Sequence, residues 1–174
     1  VRTPHLPVPR RTLLDGYFRA GGIDGMTNPF GLEILVNSRV LPVELPALVA
    51  HEYAHLAGFA DEADASVVAW LACQSGGPAL RYSGALAVLP HLAAGLPRPV
   101  QQAVLADLGP GPRADLQAIA ARLADQRPWV HAVAWQTYDR FLRANRVREG
   151  VARYDAVARV LIATADPATG RLRR

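Results

Sequence analysis

Apolar residues recur at helical spacing along most of the chain. Leu45, Leu48 and Leu56 lie among alanines, a pattern that predicts a soluble helix of about 12 residues. Pro46 suits the first turn of this helix, where a backbone N–H group is not needed. Gly58 predicts the end of the helix, because glycine readily adopts the left-handed conformation of a helix cap.

The rest of the pattern predicts a mainly α (α+β) protein with one short edge strand or small sheet and a helical C-terminal half. Further helices are predicted over 11–20, 62–75, 79–94, 98–108, 113–126, 129–146 and 151–165. The one predicted strand covers residues 32–36, and we expect its edge to pair with an extended peptide. Residues 21–31 are rich in glycine and predict a loop.

Length and composition indicate a single globular domain. A chain of 174 residues is long enough to bury one sizeable core. Residues 1–11, with three prolines, predict an extended linker, and 12–170 the domain. Its metal-site half is expected at 12–76, its helical half at 79–166 and a mobile tail at 171–174. All 19 basic residues are arginines, scattered without interleaved aromatic residues, so the net charge of +4 does not indicate a nucleic-acid partner.

The strongest chemical signal is the string His51-Glu52-Tyr53-Ala54-His55. Two histidines four residues apart project from the same face of a helix, so their imidazoles can hold one metal ion together. Glu52 lies about 100° round the helix from His51, where it can act on water without being a ligand. This pattern is typical of zinc hydrolases that use the glutamate as a general base.

A third protein ligand is expected soon after His55, because catalytic zinc has three protein ligands and one open position. The candidates are Asp61, Glu62 and Asp64. Asp61 would give the spacing of metzincins, but these proteins need a methionine after the motif, and the single methionine here precedes it. Asp61 fits better as the N-cap of the next helix. We therefore favour Glu62, with Asp61 and Asp64 as the alternatives.

Residues around the motif are similar to those of a known family. They include Pro29-Phe30, Glu33, Asn37, Leu45-Pro46, Gly58-Phe59-Ala60, Glu62 and Ala69-Trp70-Leu71-Ala72-Cys73. On these residues the chain resembles a bacterial zincin-like family catalogued as a domain of unknown function, number 3810. The resemblance implies an N-terminal membrane region followed by a gluzincin-like domain. Domains of that type often carry Asp or Asn four residues after the ligand glutamate, where this chain has Ser66, a weaker partner for a histidine.

The resemblance implies that His51, His55 and Glu62 bind Zn²⁺ and that Glu52 is the catalytic carboxylate. The expected activity is that of a zinc-dependent metallopeptidase, in which Glu52 is the general base for a metal-activated water that attacks a peptide bond. Tyr154 is our candidate for stabilising the oxyanion. Other residues considered for this role are Tyr82, His131 and Tyr138.

The expected partners are a peptide or protein substrate and a membrane, which the domain would reach through a region outside this chain. Asn37 is a candidate for binding substrate backbone, although an Asx-type turn also explains an asparagine at this position. Cys73 and His91 lie in apolar runs and are interpreted as packing residues. The alternative function is a non-catalytic, metal-stabilised module for sensing or interaction at a membrane. A helical interaction domain without metal is the third hypothesis.

Overall fold

The computed structural model describes residues 7–28, 31–127, 129–133, 136 and 154–164. This part of the chain is mainly helical with a small three-stranded sheet, which confirms the predicted fold class. The strands are β1 (Arg10–Arg11), β2 (Gly25–Asn28) and β3 (Glu33–Val36). The helices are α1 (Asp15–Gly21), α2 (Leu45–Leu56), α3 (Glu62–Gln74), α4 (Pro78–Ala94), α5 (Arg98–Asp107), α6 (Pro110–Leu123) and α7 (Tyr154–Thr164), and residues 129–133 are also helical. The predicted tail at 171–174 lies outside the described residues.

The sheet differs from the prediction in the place of its strands. Its order is β1-β3-β2, with β1 parallel and β2 antiparallel to β3. The strand predicted at 32–36 is therefore the central one, and our expectation that it offers a free edge is wrong. The predicted loop at 21–31 contains β2, in which Gly25 lies opposite Val36 and Thr27 opposite Ile34. Glycine and asparagine at its ends are turn formers, so this strand depends on pairing with β3 rather than on local preference.

The first predicted helix also begins later than expected. Arg10 and Arg11 pair with β3, so the end of the predicted linker joins the sheet. The Thr12 hydroxyl then accepts a hydrogen bond of 3.0 Å from the backbone N–H of Leu14, and α1 begins only at Asp15. The backbone of residue 11 is therefore used in a strand rather than in a helix.

The helices from α2 to α5 begin and end within about two residues of their predicted bounds. Helix α6 begins at Pro110 rather than at residue 113 and ends at Leu123 rather than at residue 126. Pro110 occupies its first turn, a position that suits proline. The predicted helix over 129–146 lies mostly outside the described residues, as do the first three residues of the helix predicted over 151–165.

The described core lies where α3, α4 and α7 meet. Its central residues are the buried side chains Ala63, Val88, Val157 and Leu161, against which Val67, Trp70 and Leu92 pack. Cys73 of α3 is fully buried, as predicted for a small packing residue. A Cβ atom on Gly84 of α4 would lie 2.6 Å from the Cβ of Cys73. The two helices therefore approach so closely that only glycine fits there.

Two side chains from later helices hold the start of α2, the helix that carries the motif. The backbone N–H of Ala47 donates a buried hydrogen bond of 3.0 Å to Ser83 Oγ on α4. Arg122 of α6 donates to both carboxylate oxygens of Glu44, the N-cap of α2, at 2.6 and 3.0 Å. The same guanidinium donates to both oxygens of Asp24 at 2.6 and 2.9 Å. These contacts place α2 relative to β2, α4 and α6.

Candidate metal centre

The site forms where the end of α2 faces the start of α3. His51 and His55 lie one turn apart on α2, and Glu62 is the first residue of α3. Gly58 reverses the chain between the helices with a φ of 101°, a conformation that favours glycine. Asp61 is the N-cap of α3, since its Oδ1 accepts from the backbone N–H groups of Ala63 and Asp64. This confirms the predicted cap and brings the carboxylate of Glu62 to the histidines.

The ligand atoms of these three residues converge. All three lie within 4.8 Å of one another. The distance from His51 Nε2 to His55 Nε2 is 3.0 Å, and Glu62 Oε2 lies 3.2 Å from the former and 3.7 Å from the latter. In a tetrahedral zinc site with bonds of about 2.0–2.2 Å, ligand atoms lie about 3.4 Å apart. The donor types and their spacing therefore fit a zinc ion.

The outer nitrogen of each histidine contacts an oxygen. His55 Nδ1 lies 2.7 Å from the carbonyl oxygen of Phe59, and a carbonyl only accepts, so this nitrogen carries the proton. In neutral His55 the lone pair of Nε2 then points at the other ligand atoms, as metal binding requires. His51 Nδ1 lies 3.4 Å from Ser66 Oγ, a long contact that matches the weaker partner expected at this position.

The negative charge of Glu62 and positive charge on the two histidines stabilise each other. Burial raises the pKa of Glu62, but hydrogen bonds and the charges of His51 and His55 outweigh it and hold this pKa well below its usual value. Burial lowers the pKa of His55, but the hydrogen bond and charge of Glu62 outweigh it, so that the pKa of His55 is raised. The side chains of His51, His55 and Glu62 are 20%, 14% and 18% exposed, so solvent reaches the site.

Glu52 lies beside this cluster and points toward the sheet. Only 4% of the residue is exposed, and its Oε2 accepts a hydrogen bond of 2.9 Å from the Thr27 hydroxyl on β2. Burial raises the pKa of Glu52, against the opposing effects of the His51 charge and the Thr27 hydrogen bond. Glu52 directly follows the candidate ligand His51 on α2, and its carboxylate is not one of the converging ligand groups.

A family profile described as "Protein of unknown function (DUF3810)" matches residues 2–162, most of the chain. The chain belongs to the DUF3810 family. No curated protein and no solved structure matches it. Over the described residues of this DUF3810 domain, none of the helices combines the length and the hydropathy that a membrane span requires.

The DUF3810 domain engages two other predicted site residues in internal contacts. The side chain of Asn37 is buried, donates to the Ile23 carbonyl at 3.0 Å and accepts from the Arg39 N–H at 2.9 Å. The second of these bonds is the Asx-type turn considered from the sequence, and substrate binding by Asn37 stays a prediction. The Tyr82 hydroxyl donates to Asp115 on α6, which raises the pKa of Tyr82.

The remaining candidates for the oxyanion are only partly described. His131 belongs to the helical residues 129–133, and its backbone N–H donates to the Arg127 carbonyl. Tyr154 is the first residue of α7, but its side chain lies outside the described part of the domain, and Tyr138 lies outside it altogether. The role of Tyr154 therefore stays a prediction. Burial and, to a smaller extent, the charge of His51 lower the pKa of His91 on α4.

Sequence reasoning missed the two groups that orient Glu52 and His55. Thr27 lies in the segment predicted as a loop, 25 positions before its partner Glu52, and no short-range pattern links the two. The carbonyl of Phe59 is a backbone group, so its residue type carries no signal. The four-residue spacing between His55 and Phe59 is the sequence feature that could have indicated this contact.

Proposed function

We propose that this DUF3810 domain is a zinc-dependent metallopeptidase. The observation that carries the proposal is the convergence of His51, His55 and Glu62, with their ligand atoms within 4.8 Å, beside the carboxylate of Glu52. Two imidazoles and one carboxylate form a set that binds catalytic zinc and leaves one coordination position open. The partial exposure of these side chains is consistent with access for water and substrate.

In the proposed site His51, His55 and Glu62 hold the zinc ion. When bound, zinc supplies Lewis-acid chemistry, since it polarises a carbonyl group and lowers the pKa of water. The protonated Nδ1 of His55 on the Phe59 carbonyl keeps Nε2 directed at the ion. The helix packing of α2 against α3 holds the third ligand in place.

Glu52 is the proposed general base. It accepts a proton from water during attack on the peptide carbonyl and then passes the proton to the leaving amine. Its position on α2, one residue after a ligand, keeps it adjacent to the ion without occupying a coordination position. Tyr154, at the start of α7, is the proposed residue for stabilising the oxyanion.

The proposed substrate is an extended peptide. Among the described residues β2 is an edge strand of the three-stranded sheet, the place at which an extended peptide can add to a sheet. Thr27 connects this strand directly to Glu52, so a peptide paired with β2 would pass close to the general base. This assigns to β2 the pairing role that the sequence suggested for residues 32–36.

The test compares wild-type protein with Glu52→Gln. Zinc content is measured by mass spectrometry of the purified proteins, and hydrolysis with a library of fluorescence-quenched peptides. We expect one zinc per chain in both proteins and a loss of hydrolysis of at least about 100-fold in Glu52→Gln, because general-base catalysis is removed while the ligands stay. Equal hydrolysis by the two proteins would remove Glu52 from the mechanism, and a wild-type protein without zinc would refute the proposal.

A second candidate function is a metal-stabilised module without catalysis, used for sensing or interaction at a membrane. It is favoured by the position of the site, which joins two helices and so links metal binding to stability. In that case both proteins bind zinc, chelation lowers the melting temperature, and no peptide of the library is cleaved. The proposed location beside a membrane, through a region outside this chain, is supported by the sequence resemblance and is common to both functions.

A further inference from the structure

The carboxylate of Glu52 is held by two residues of β2. The Thr27 hydroxyl lies 2.9 Å from Glu52 Oε2 and 3.0 Å from the backbone carbonyl oxygen of Glu52. A hydroxyl has one hydrogen to donate, so these two acceptors share it. Both acceptors belong to the same residue, and the contact therefore ties the side chain of Glu52 to its own helix turn and to the strand.

Gly25 is the second residue of this contact. It precedes Thr27 by two positions, and residues so spaced point to the same face of a strand. A Cβ atom on Gly25 would lie 2.7 Å from Glu52 Oε1 and 3.0 Å from Leu48 Cδ1. One carboxylate oxygen therefore occupies the space that a side chain at residue 25 would need, while the other accepts from Thr27.

The strand itself is well placed to act as a support. Gly25 pairs with Val36 and Thr27 with Ile34, and both partners on β3 are buried. A free glutamate side chain has several accessible rotamers, whereas this one is enclosed by a hydroxyl on one side and a backbone surface on the other. Displacement of a catalytic group by about 1 Å can cost about 100-fold in rate.

We propose that Thr27 and Gly25 are positioning residues that fix the carboxylate of Glu52, Thr27 through its hydroxyl and Gly25 through its lack of a side chain. The catalytic consequence rests on the proposed peptidase function, whereas the position of the carboxylate does not. Both residues act on the reaction through Glu52.

The kinetic test uses Thr27→Val, which keeps the shape but removes the hydroxyl, and Thr27→Ser, which keeps the hydroxyl. For a peptide that the wild type cleaves, we expect kcat to fall about tenfold to 100-fold in Thr27→Val with KM and zinc content unchanged. Thr27→Ser, which keeps the hydroxyl, should retain most of the wild-type kcat. Thr12→Val is the matched control, because it removes a buried hydroxyl that follows β1, on the opposite side of β3 from β2, where its partner is the Leu14 N–H.

Gly25→Ala tests the other contact, with Gly16→Ala as its control. Apart from its chain neighbours and the backbone of its own helix, no described atom lies within 4 Å of a Cβ at Gly16, so that change introduces no tertiary contact. We expect Gly25→Ala to lower kcat at least tenfold with zinc retained, and Gly16→Ala to leave it unchanged. A kcat within twofold of wild type in both Thr27→Val and Gly25→Ala would overturn the proposal.

Crystal structures of the zinc-soaked wild type, Thr27→Val and Gly25→Ala give a readout that needs no activity. The proposal expects the carboxylate oxygens of Glu52 to move by about 1 Å or more in each variant. Unmoved oxygens would overturn it. If the wild type cleaves no peptide, the proposed function fails, but these structures still decide whether β2 positions Glu52.

Discussion

At the scale of single residues, the two histidines of the site differ in how they are oriented. The carbonyl of Phe59 holds His55 at 2.7 Å, whereas the Ser66 hydroxyl lies 3.4 Å from His51. A backbone carbonyl keeps its position as long as the helix end keeps its shape, so His55 depends little on the identity of residue 59. Glu62 contacts both imidazoles and carries the negative charge of the site.

Glu62→Gln should weaken zinc binding by at least about 100-fold, more than most changes to residues that only orient a ligand. The amide is a poor zinc ligand and lacks the charge that balances the cation. Affinity is measured by competition with a chromophoric chelator. Asp64→Asn is the control, because Asp64 is an exposed acid two residues away and outside the cluster. If Asp64→Asn weakened binding and Glu62→Gln did not, the ligand assignment would have to change.

At the scale of elements, helix α2 depends on contacts from other helices. Its N-terminal turn has backbone N–H groups without partners inside the helix. Ser83 of α4 accepts from one of them, and the N-cap Glu44 is held by Arg122 of α6. These contacts decide where His51 and His55 lie relative to α3 and β2.

Ser83→Ala should lower the free energy of unfolding by about 1–3 kcal/mol, because it leaves the buried N–H of Ala47 without an acceptor. Urea denaturation followed by circular dichroism measures this loss. Ser75→Ala serves as the control, since the Ser75 hydroxyl bonds to the Ala72 carbonyl at an exposed helix end. We expect the control to change stability by less than about 0.5 kcal/mol. Equal effects of the two changes would contradict this role of Ser83.

Arg122→Met should cost about 3 kcal/mol or more, because it leaves Asp24 and Glu44 partly buried without their shared cation. The side chain of Arg122 is 7% exposed, so solvent does little to screen these pairs. Arg113→Met, on the same helix, removes an exposed guanidinium that donates to two backbone carbonyls and should cost much less. The same denaturation experiment compares the two variants. Similar losses of stability would contradict the role of Arg122 in holding Asp24 and Glu44.

At the scale of the whole molecule, the candidate metal site connects the two parts of the described structure. Helix α2 packs on β2 and β3, whereas α3 joins α4 and α7 in the core around Val157. A zinc ion held by both α2 and α3 would therefore join the sheet side to the helical side. Binding to the folded state alone must then stabilise the whole fold.

Chelation of zinc should lower the melting temperature of the protein. With free zinc about 100-fold above Kd, binding contributes about 2.7 kcal/mol, or roughly 5–10 °C for a domain of this size. Differential scanning fluorimetry with EDTA, followed by addition of excess zinc, measures the change. Glu52→Gln should keep the full shift and Glu62→Gln should lose most of it. A melting temperature that is the same with and without chelator would contradict the metal site.

The sequence by itself determined helices α2 to α5, the cap at Asp61 and the pair His51 and His55. Each of these is a local property, because hydrogen bonding within a helix sets the spacing of four residues that brings two side chains to one face. The mainly helical fold class follows from the same periodicity. Strand β2 and the late start of α1 escaped prediction, because both depend on pairing with β3, a contact between distant parts of the chain.

Only the tertiary structure decided which carboxylate meets the histidines and what surrounds Glu52. Asp61, Glu62 and Asp64 all carry a carboxylate and are close in sequence. The turn at Gly58 and the packing of α3 on α2 bring the carboxylate of Glu62 to the histidines. Thr27 reaches Glu52 across 25 positions of chain. Such contacts arise when separate elements pack against each other, and no repeat or spacing along the chain records them.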